Sequence, residues 1–401
     1  MLRDDAETVG LLEPLMVSED SPHRAALNDL ALDLAAQSAA LRSSLTLTMA
    51  VSLANLIRSM NCYYSNLIEG HDTHPIDIER ALQNDYSADP RKRDLQLEAK
   101  AHIAVQKWID DAGMTEVPTS PVMIVETHRR FCDLLPPELL FVENPTTGER
   151  VPLVPGELRS RDVVVGRHVA ISPGAVPRFL HRFDQAYRAP GRVGSVLVAA
   201  SAHHRLLWIH PFLDGNGRVA RLMSYAILRN ALDTGGLWSV ARGLARNEME
   251  YKQHLAACDG PRRGDRDGRG TLSETALAEF TRFFLRVSID QVEFITSLMR
   301  PDTLRDRILG WATEKIKAGA LPIKSDTVMR ALLYNGELQR AEIPAILGLG
   351  ERGARRVTSA LIESGAVASD SSRAPLRLVF PATVAGRWMP GLFPDAPGLS
   401  R

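Results

Sequence analysis

Apolar residues recur at intervals of three and four positions along most of the chain up to about residue 300. This spacing is typical of amphipathic α-helices, in which such positions share one face. The segments with this pattern run from Ala26 to Ile57, Ile78 to Trp108, Val122 to Leu135, Pro177 to Tyr187, Val193 to Trp208, Arg218 to Leu232 and Leu272 to Met299. The pattern predicts a mostly α protein.

The segment from Gly148 to Pro173 departs from the helical period. It places prolines and glycines around the β-branched run Val163-Val164-Val165. Turn-forming residues on both sides of β-branched positions are typical of a β-hairpin. We therefore predict a small hairpin among the helices, with edges that could pair with another chain.

The pattern changes again after Pro301. Three short helical patterns, at residues 325–334, 339–347 and 351–364, are followed by two strand-like runs at 366–369 and 376–380. Three helices followed by a two-stranded wing have the order of a winged helix. We place a domain boundary near residue 301 and predict a winged-helix domain over residues 301–401.

The third helical pattern of this domain carries three arginines, Arg352, Arg355 and Arg356. In DNA-binding winged helices the third helix enters the major groove. A DNA contact and a solvated or protein-facing surface are both compatible with these arginines.

Composition restricts the class of protein further. The 401 residues are 45% hydrophobic and 24% charged, which is typical of soluble globular proteins, and 48 Lys and Arg balance 48 Asp and Glu. This balance argues against a broad nucleic-acid surface.

The three cysteines are far apart and form no Cys-x-x-Cys pair, which excludes a disulfide framework and a zinc module. The first residues are acidic and no apolar run approaches the ~18 residues of a membrane span, so we expect a cytoplasmic protein without membrane contact.

Residues 209–221, Ile-His-Pro-Phe-Leu-Asp-Gly-Asn-Gly-Arg-Val-Ala-Arg, form the most unusual stretch. Pro211 disfavours helical geometry at His210, so the preceding helix should end there and leave the imidazole in a loop. The helical period resumes near Arg218, which places residues 214–217 at a helix N-terminus. Small residues at that position allow backbone N–H groups to point at a ligand, and the helix dipole adds positive potential. The stretch therefore predicts an anion-binding cradle.

The charged residues of the stretch indicate which anion it binds. Arg218 and Arg221 lie one turn apart in the first turn of the helix, where the dipole disfavours cations. Two arginines there suit a ligand with several negative charges, such as a polyphosphate. Asp214 could hold Mg²⁺ through one carboxylate oxygen, and His210 could remove a proton from an attacking hydroxyl. The residues predict a phosphate-transfer site, with an ordinary interhelical loop as the alternative.

The sequence does not match two other motifs that bind phosphates or metal ions. The chain contains no Gly-Lys dipeptide, which excludes a Walker A loop. An EF-hand that began at Asp214 would need Gly in place of Val219 and Glu in place of Tyr225.

Residues 210–221 match every specified position of HPFx[D/E]GNGRxxR, the core motif of the Fic family, and the chain resembles that family over most of its length. In the family this motif transfers AMP from ATP to a Ser, Thr or Tyr hydroxyl of a target protein. The resemblance therefore implies a protein adenylyltransferase that uses ATP and Mg²⁺.

The resemblance also implies a role for each residue of the loop. By position, the resemblance implies that His210 is the general base, Phe212 an apolar anchor and Asp214 the Mg²⁺ ligand. It also implies that Gly215, Asn216 and Gly217 form the anion hole and that Arg218 and Arg221 bind the phosphates. Relatives with Lys in place of the second glycine transfer phosphate, so Gly217 favours AMP transfer.

A second match lies upstream of the loop. Ser65-Asn-Leu-Ile-Glu-Gly70 fits the inhibitory motif of the family, [S/T]xxxE[G/N]. The resemblance implies that Glu69 pairs with Arg221 and displaces the γ-phosphate of the nucleotide. A glutamate on a helix surface is the alternative at this position.

The hairpin at 148–173 resembles the flap with which the family clamps the backbone of its target. This likeness implies Arg159, Val163, Val164 and Val165 as target-binding residues. A hairpin with only a structural role is the alternative. A looser likeness of residues 247–255 places Tyr251 over the adenine. An amphipathic helix that packs Met249 and Leu255 into the core is the alternative.

The leading hypothesis divides the chain into an N-terminal helical region at 1–110, a Fic catalytic core at 111–300 and the winged helix at 301–401. It describes a self-inhibited adenylyltransferase that modifies a target protein and itself. Two alternatives stay open: a de-AMPylating hydrolase in which Glu69 activates water, and a DNA-binding regulator that acts through the winged helix. A homodimer is compatible with the family.

Overall fold

The computed structural model describes residues 2–144 and 147–394 and divides the chain into two compact units. The first unit is Met1–Ala39 with Asn61–Val292, and the second is Ala40–Met60 with Glu293–Arg401. The division from sequence, at about 110 and 301, placed residues 40–60 in the N-terminal region, whereas the structure groups them with C-terminal residues. Of the predicted winged-helix domain, residues 395–401 lie outside the described residues.

Helices dominate the first unit, as the sequence predicts. In chain order they are α1 (Arg24–Ser43), α2 (Leu47–Ile68), α3 (Pro75–Leu82), α4 (Pro90–Asp110), α5 (Pro121–Cys132), α6 (Val176–Tyr187), α7 (Arg192–Ile209), α8 (Asn216–Leu232), α9 (Ala241–Arg246), α10 (Glu248–Cys258) and α11 (Glu274–Leu298). Helices α1, α2 and α11 contribute to both units. The mostly α fold is thereby confirmed.

Local capping explains where two of these helices begin. Asp89 accepts a hydrogen bond from the N–H of Arg91 at 3.0 Å before α4, and Ser120 accepts one from the N–H of Met123 at 3.2 Å before α5. A proline follows each capping residue as the first residue of the helix, where it loses no hydrogen bond. The cap at Asp89 divides the single helical pattern expected from Ile78 to Trp108 into α3 and α4.

Helices α7 and α8 form the centre of the first unit. Nearly every residue of α7 is buried, and α8 buries residues from Asn216 to Leu228. A helix that is apolar on most faces has to lie inside the protein. The short loop between these helices is therefore anchored at both ends by packed core, which gives its side chains fixed positions.

Two small antiparallel ribbons lie between α5 and α6. Strand β1 (Phe141–Glu143) pairs with β2 (Arg150–Pro152), and β3 (Val164–Val165) pairs with β4 (His168–Val169). The second ribbon turns at Gly166, whose φ of 62° favours glycine. The predicted hairpin is confirmed for its β3–β4 part, whereas the start of the 148–173 segment pairs with β1.

The second unit contains α12 (Pro301–Lys317), α13 (Ser325–Asn335), α14 (Ile343–Leu347), α15 (Glu351–Glu363) and α16 (Ala382–Trp388). Strands β5 (Glu337–Leu338), β6 (Val367–Ala368) and β7 (Leu376–Leu378) form an antiparallel sheet in the order β5-β7-β6. The three predicted helices and two predicted strands are present, and α12, α16 and β5 are additions. Within the described part of the chain, no helix has the length and apolarity that crossing a membrane requires.

Candidate functional site

The loop between α7 and α8 begins at His210. Its backbone has φ of 51° and ψ of 62°, in the left-handed region, and its N–H donates to the carbonyl of Leu206 at 2.9 Å. This geometry ends α7 and turns the chain toward Pro211, because the residue before a proline avoids the α conformation. The prediction that the helix ends at His210 is confirmed.

The imidazole of His210 is poised to accept a proton. Its Nδ1 lies 3.3 Å from the carbonyl oxygen of Leu207, which can only accept, so Nδ1 carries the hydrogen and Nε2 is left as an acceptor. Burial lowers the pKa of His210 to about 4. The ring is therefore neutral at physiological pH, in the form that a general base requires.

The loop is closed by the side chain of Asn216. Its Oδ1 accepts from the N–H of Phe212 at 3.0 Å, and its Nδ2 donates to the carbonyl of the same residue at 2.9 Å. Phe212 is fully buried, as expected of an apolar anchor. The Asn216 side chain thus shapes the loop, and only the backbone of this residue is available to the cradle.

The N-terminus of α8 supplies the cradle. Gly215 lies before the helix with φ of 79°, and its carbonyl accepts from the N–H of Val219 at 3.0 Å. The first N–H groups of an α-helix have no partner within the helix, so those at the start of α8 point toward the site. The adjacent carboxylate of Asp214 is exposed.

The side chain of Arg221 is bound by two residues at the C-terminal end of α2. Its Nε donates to Oγ of Ser65 at 2.8 Å, and its Nη2 forms an ion pair with Oε1 of Glu69. A Cβ at Gly217 would lie 2.4 Å from the same Glu69 oxygen, so the carboxylate rests directly over the cradle. Burial raises the pKa of Glu69, but the charge of Arg221 and its hydrogen bond outweigh burial and lower it below the ordinary value. The Glu69–Arg221 ion pair that the resemblance implies is confirmed as a contact.

Arg218 meets a second carboxylate, which sequence reasoning missed. Its Nη2 donates to Oε2 of Glu98, on α4, at 2.7 Å. The same Glu98 oxygen lies 2.7 Å from Nδ1 of His71. Burial raises the pKa of Glu98, but His71 and Arg218 together lower it below the ordinary value. Nothing in the sequence around Glu98 signals this contact, because the two partners are brought together only by the fold.

The flap residues separate into exposed and buried members. Val164 and Val165 are exposed on the β3–β4 ribbon, Val164 by 63%. Arg159, expected with them as a target-binding residue, is instead 1% exposed. Its Nε donates to the carbonyl of His210 at 2.7 Å, and its backbone N–H donates to the carbonyl of Pro211 at 2.9 Å. Its side chain therefore positions the loop and presents no surface to a target.

Tyr251, on α10, is buried near Arg221 of α8. Its hydroxyl lies 2.6 Å from Nε2 of His203, and its ring packs near Phe280. Burial raises the pKa of Tyr251 to about 12. The residue lies close to Arg221 and its side chain is buried, whereas Met249, which the alternative interpretation packs into the core, is exposed.

His128, on α5, is a further residue that the sequence did not single out. Its ring stacks on Phe212 with centroids 3.9 Å apart and planes 3° apart. Its Nδ1 accepts from the N–H of Gly156 at 2.9 Å, and a hydrogen bond joins it to the backbone of Asp214. One buried imidazole thus connects the base of the flap with the loop.

The fold and the site together define a helical protein in which the connection from α7 to α8 carries a neutral histidine, a helix N-terminus and two arginines. Residues 118–228 match the model of the Fic/DOC family, so this part of the chain is similar to a Fic domain.

The chain is also similar to curated proteins over part of its length and to a solved structure in its fold. A 171-residue stretch is 29% identical to Protein adenylyltransferase Fic of Drosophila yakuba, covering 42% of this chain and 32% of that protein. A 175-residue stretch is 31% identical to the protein of the same name from Nematostella vectensis, covering 42% of this chain and 37% of that protein. The chain thus spans about a third of the length of these curated relatives. The crystal structure of a Fic family protein from Desulfovibrio desulfuricans shares the fold with a TM-score of 0.50 and 18% identity, covering 91% of this chain and 98% of that one.

Proposed function

We propose that the protein is an adenylyltransferase that transfers AMP from ATP to a Ser, Thr or Tyr hydroxyl of a target protein. The observation that carries the proposal is the loop itself, in which an accepting Nε2 on His210 stands beside a helix N-terminus and two arginines. The relatives named as protein adenylyltransferases support the same reaction.

The nucleotide binds through its phosphates in this proposal. The N–H groups at the start of α8 and the side chains of Arg218 and Arg221 bind the phosphate oxygens. Gly217 leaves the backbone accessible to the ligand because it has no side chain.

Asp214 fits a Mg²⁺ site of the kind that nucleotides complete. Mg²⁺ is commonly bound by one or two carboxylates together with phosphate oxygens and waters, and the Asp214 carboxylate is exposed next to the cradle. In the described part of the chain, no group of three metal-binding side chains provides a complete protein site. The ion would supply positive charge to the phosphates.

His210 performs the proton transfer of the proposed reaction. Its Nε2 accepts the proton of the target hydroxyl while that oxygen forms a bond to the α-phosphorus. The bond from the α-phosphorus to the bridging oxygen breaks, and pyrophosphate leaves with that electron pair. Charge stabilisation by the cradle and the arginines is the larger part of such catalysis.

The β3–β4 ribbon binds the target in this proposal. An extended peptide can add to an exposed strand edge through main-chain hydrogen bonds, and the exposed Val164 and Val165 offer such an edge. Such binding would hold the hydroxyl near His210 with modest side-chain selectivity.

Glu69 restrains the reaction until it moves. Its carboxylate occupies Arg221 and lies over Gly217, where the terminal phosphate of ATP would otherwise bind. Removal of this carboxylate should therefore increase transfer.

Incubation with ATP labelled at the α-phosphate tests the proposed function. The protein or a partner should become labelled, more strongly after Glu69→Gly and not after His210→Ala in that background. His181→Ala, at an exposed position on α6, is the matched histidine control and should label like its parent. Equal labelling with and without His210 would overturn the mechanism.

A second candidate function rests on α15. This helix buries Ala354, Val357 and Leu361 and exposes Arg352, Arg355 and Arg356, and the unit has the helix and strand order expected of a winged helix. A gel-shift titration of the full chain over salt concentration tests DNA binding, since phosphate contacts make log K fall steeply with log[salt]. The absence of a shift at low salt would exclude this function.

A further inference from the structure

The side chain of Arg218 is bound through one nitrogen of its guanidinium group, Nη2. Its Nη2 donates to Glu98 at 2.7 Å and lies 3.0 Å from Nδ1 of His71, which is itself bound to Glu98. The ring of Phe131 lies 5.0 Å from the guanidinium carbon. These contacts fix both the position and the plane of the group.

A neighbouring nitrogen of the same guanidinium group, Nε, has no partner among the described residues. The side chain of Arg218 is 7% exposed, and its Nε is buried without a hydrogen-bond acceptor among the described residues. A buried N–H without an acceptor costs free energy, so such a donor is normally satisfied by a ligand or by water. Arg218 lies in the first turn of α8, where phosphate oxygens would supply acceptors.

Arg221 presents the opposite situation. Its Nε and Nη2 both donate to the end of α2, to Ser65 and Glu69. Two nitrogens of Arg221 are thus engaged, whereas Glu98 binds one nitrogen of Arg218 and leaves its Nε without an acceptor.

We propose that Glu98, supported by His71, is a positioning residue that holds Arg218 so that its unpaired Nε can donate to the phosphates of the nucleotide. Glu98 acts through Arg218 and does not touch the reacting atoms. The inference rests on the proposed function, because it assigns a purpose to Arg218 in nucleotide binding.

Calorimetric titration with ATP, ADP and adenosine tests this role in the Glu69→Gly background, where the cradle is open. Glu98→Gln should weaken binding of ATP and ADP about tenfold, since a charged hydrogen bond then no longer orients the arginine. Adenosine has no phosphate, so its affinity should not change. Glu98→Asp keeps the charge and should restore part of the loss.

The matched control is Asp111→Asn, which removes a carboxylate from an exposed ion pair with Lys107 at the end of the same helix. It should leave all three affinities unchanged. Glu98→Gln should also have no further effect once Arg218→Lys is present, because coupled residues lose their effect together. This double-mutant comparison and Glu98→Asp decide the question even where Glu98→Gln lowers the melting temperature.

Three results would overturn the inference. They are unchanged ATP affinity in Glu98→Gln, equal loss for ATP and adenosine, and tighter ATP binding, which would make Glu98 a competitor of the phosphates. The proposed function fails separately, when Glu69→Gly does not transfer label from α-labelled ATP.

Discussion

His210 is a weak base that stays neutral over a wide pH range. Burial lowers its pKa to about 4, and the reaction requires the neutral ring. The labelling rate of Glu69→Gly should therefore rise as pH increases through about 4 and stay level from about pH 5.5 to 8. Single-turnover labelling across this range, with circular dichroism as a control for unfolding, measures the profile. A midpoint near the ordinary histidine value of about 6.5 would contradict the assignment.

His128 should contribute to stability through its stacking on Phe212. His128→Ala removes the stack and the hydrogen bond from Gly156, and we expect it to lower the free energy of unfolding by about 2–4 kcal/mol. His128→Phe keeps an aromatic ring and should lose less. Urea denaturation measures both, with His181→Ala as the exposed control. Equal losses for the two variants would show that stacking contributes nothing.

Flap strands β3 and β4 are the elements through which a target should bind. Val164→Asp places a charge on the exposed edge of the ribbon, and we expect it to reduce target labelling while ATP affinity stays unchanged. The control is Val122→Asp, which alters an equally apolar exposed position on α5. Labelling of a partner and calorimetric ATP titration separate the two effects. Reduced ATP affinity in Val164→Asp would mean that the ribbon belongs to the nucleotide site.

Most helices and the hairpin could be predicted from local features of the sequence. Apolar spacing predicted α5 to α8, and the proline after His210 predicted the end of α7. The hairpin turn followed from Gly166 among β-branched residues. Helix boundaries were less accessible, because a cap such as Asp89 acts on one hydrogen bond and leaves the apolar spacing unchanged.

Contacts between distant residues were predictable only where a family pattern named them. Glu69 and Arg221 are 152 positions apart, and the resemblance alone paired them. Glu98 and Arg218 are 120 positions apart, and no pattern joined them. Arg159 was misplaced for a related reason, since sequence does not show whether a flap arginine points outward or donates to the carbonyl of His210.

At the scale of the whole molecule, buried imidazoles concentrate in the first compact unit. His102, His128, His203 and His204 are all buried. Burial lowers their pKa values to about 3 for His102 and His203, and about 4 for the other two. In the unfolded chain these rings bind protons near pH 6.5. The unfolded state therefore binds more protons between about pH 6.5 and 4, so the free energy of unfolding should fall as pH decreases through this range.

His102 provides the variant that tests this dependence. Both of its ring nitrogens are buried without a hydrogen-bond partner among the described residues. His102→Leu removes one proton-binding site from the unfolded state and one unsatisfied buried group from the folded state. We expect the free energy of unfolding at pH 7.5 to be equal or higher. Its loss on acidification should decrease by up to about 1.4 kcal/mol per pH unit, a limit approached below about pH 6. Urea denaturation at several values between about pH 7.5 and 5 measures both quantities. An unchanged slope would show that His102 binds its proton equally well in the folded and unfolded states, and that its burial does not carry the expected cost.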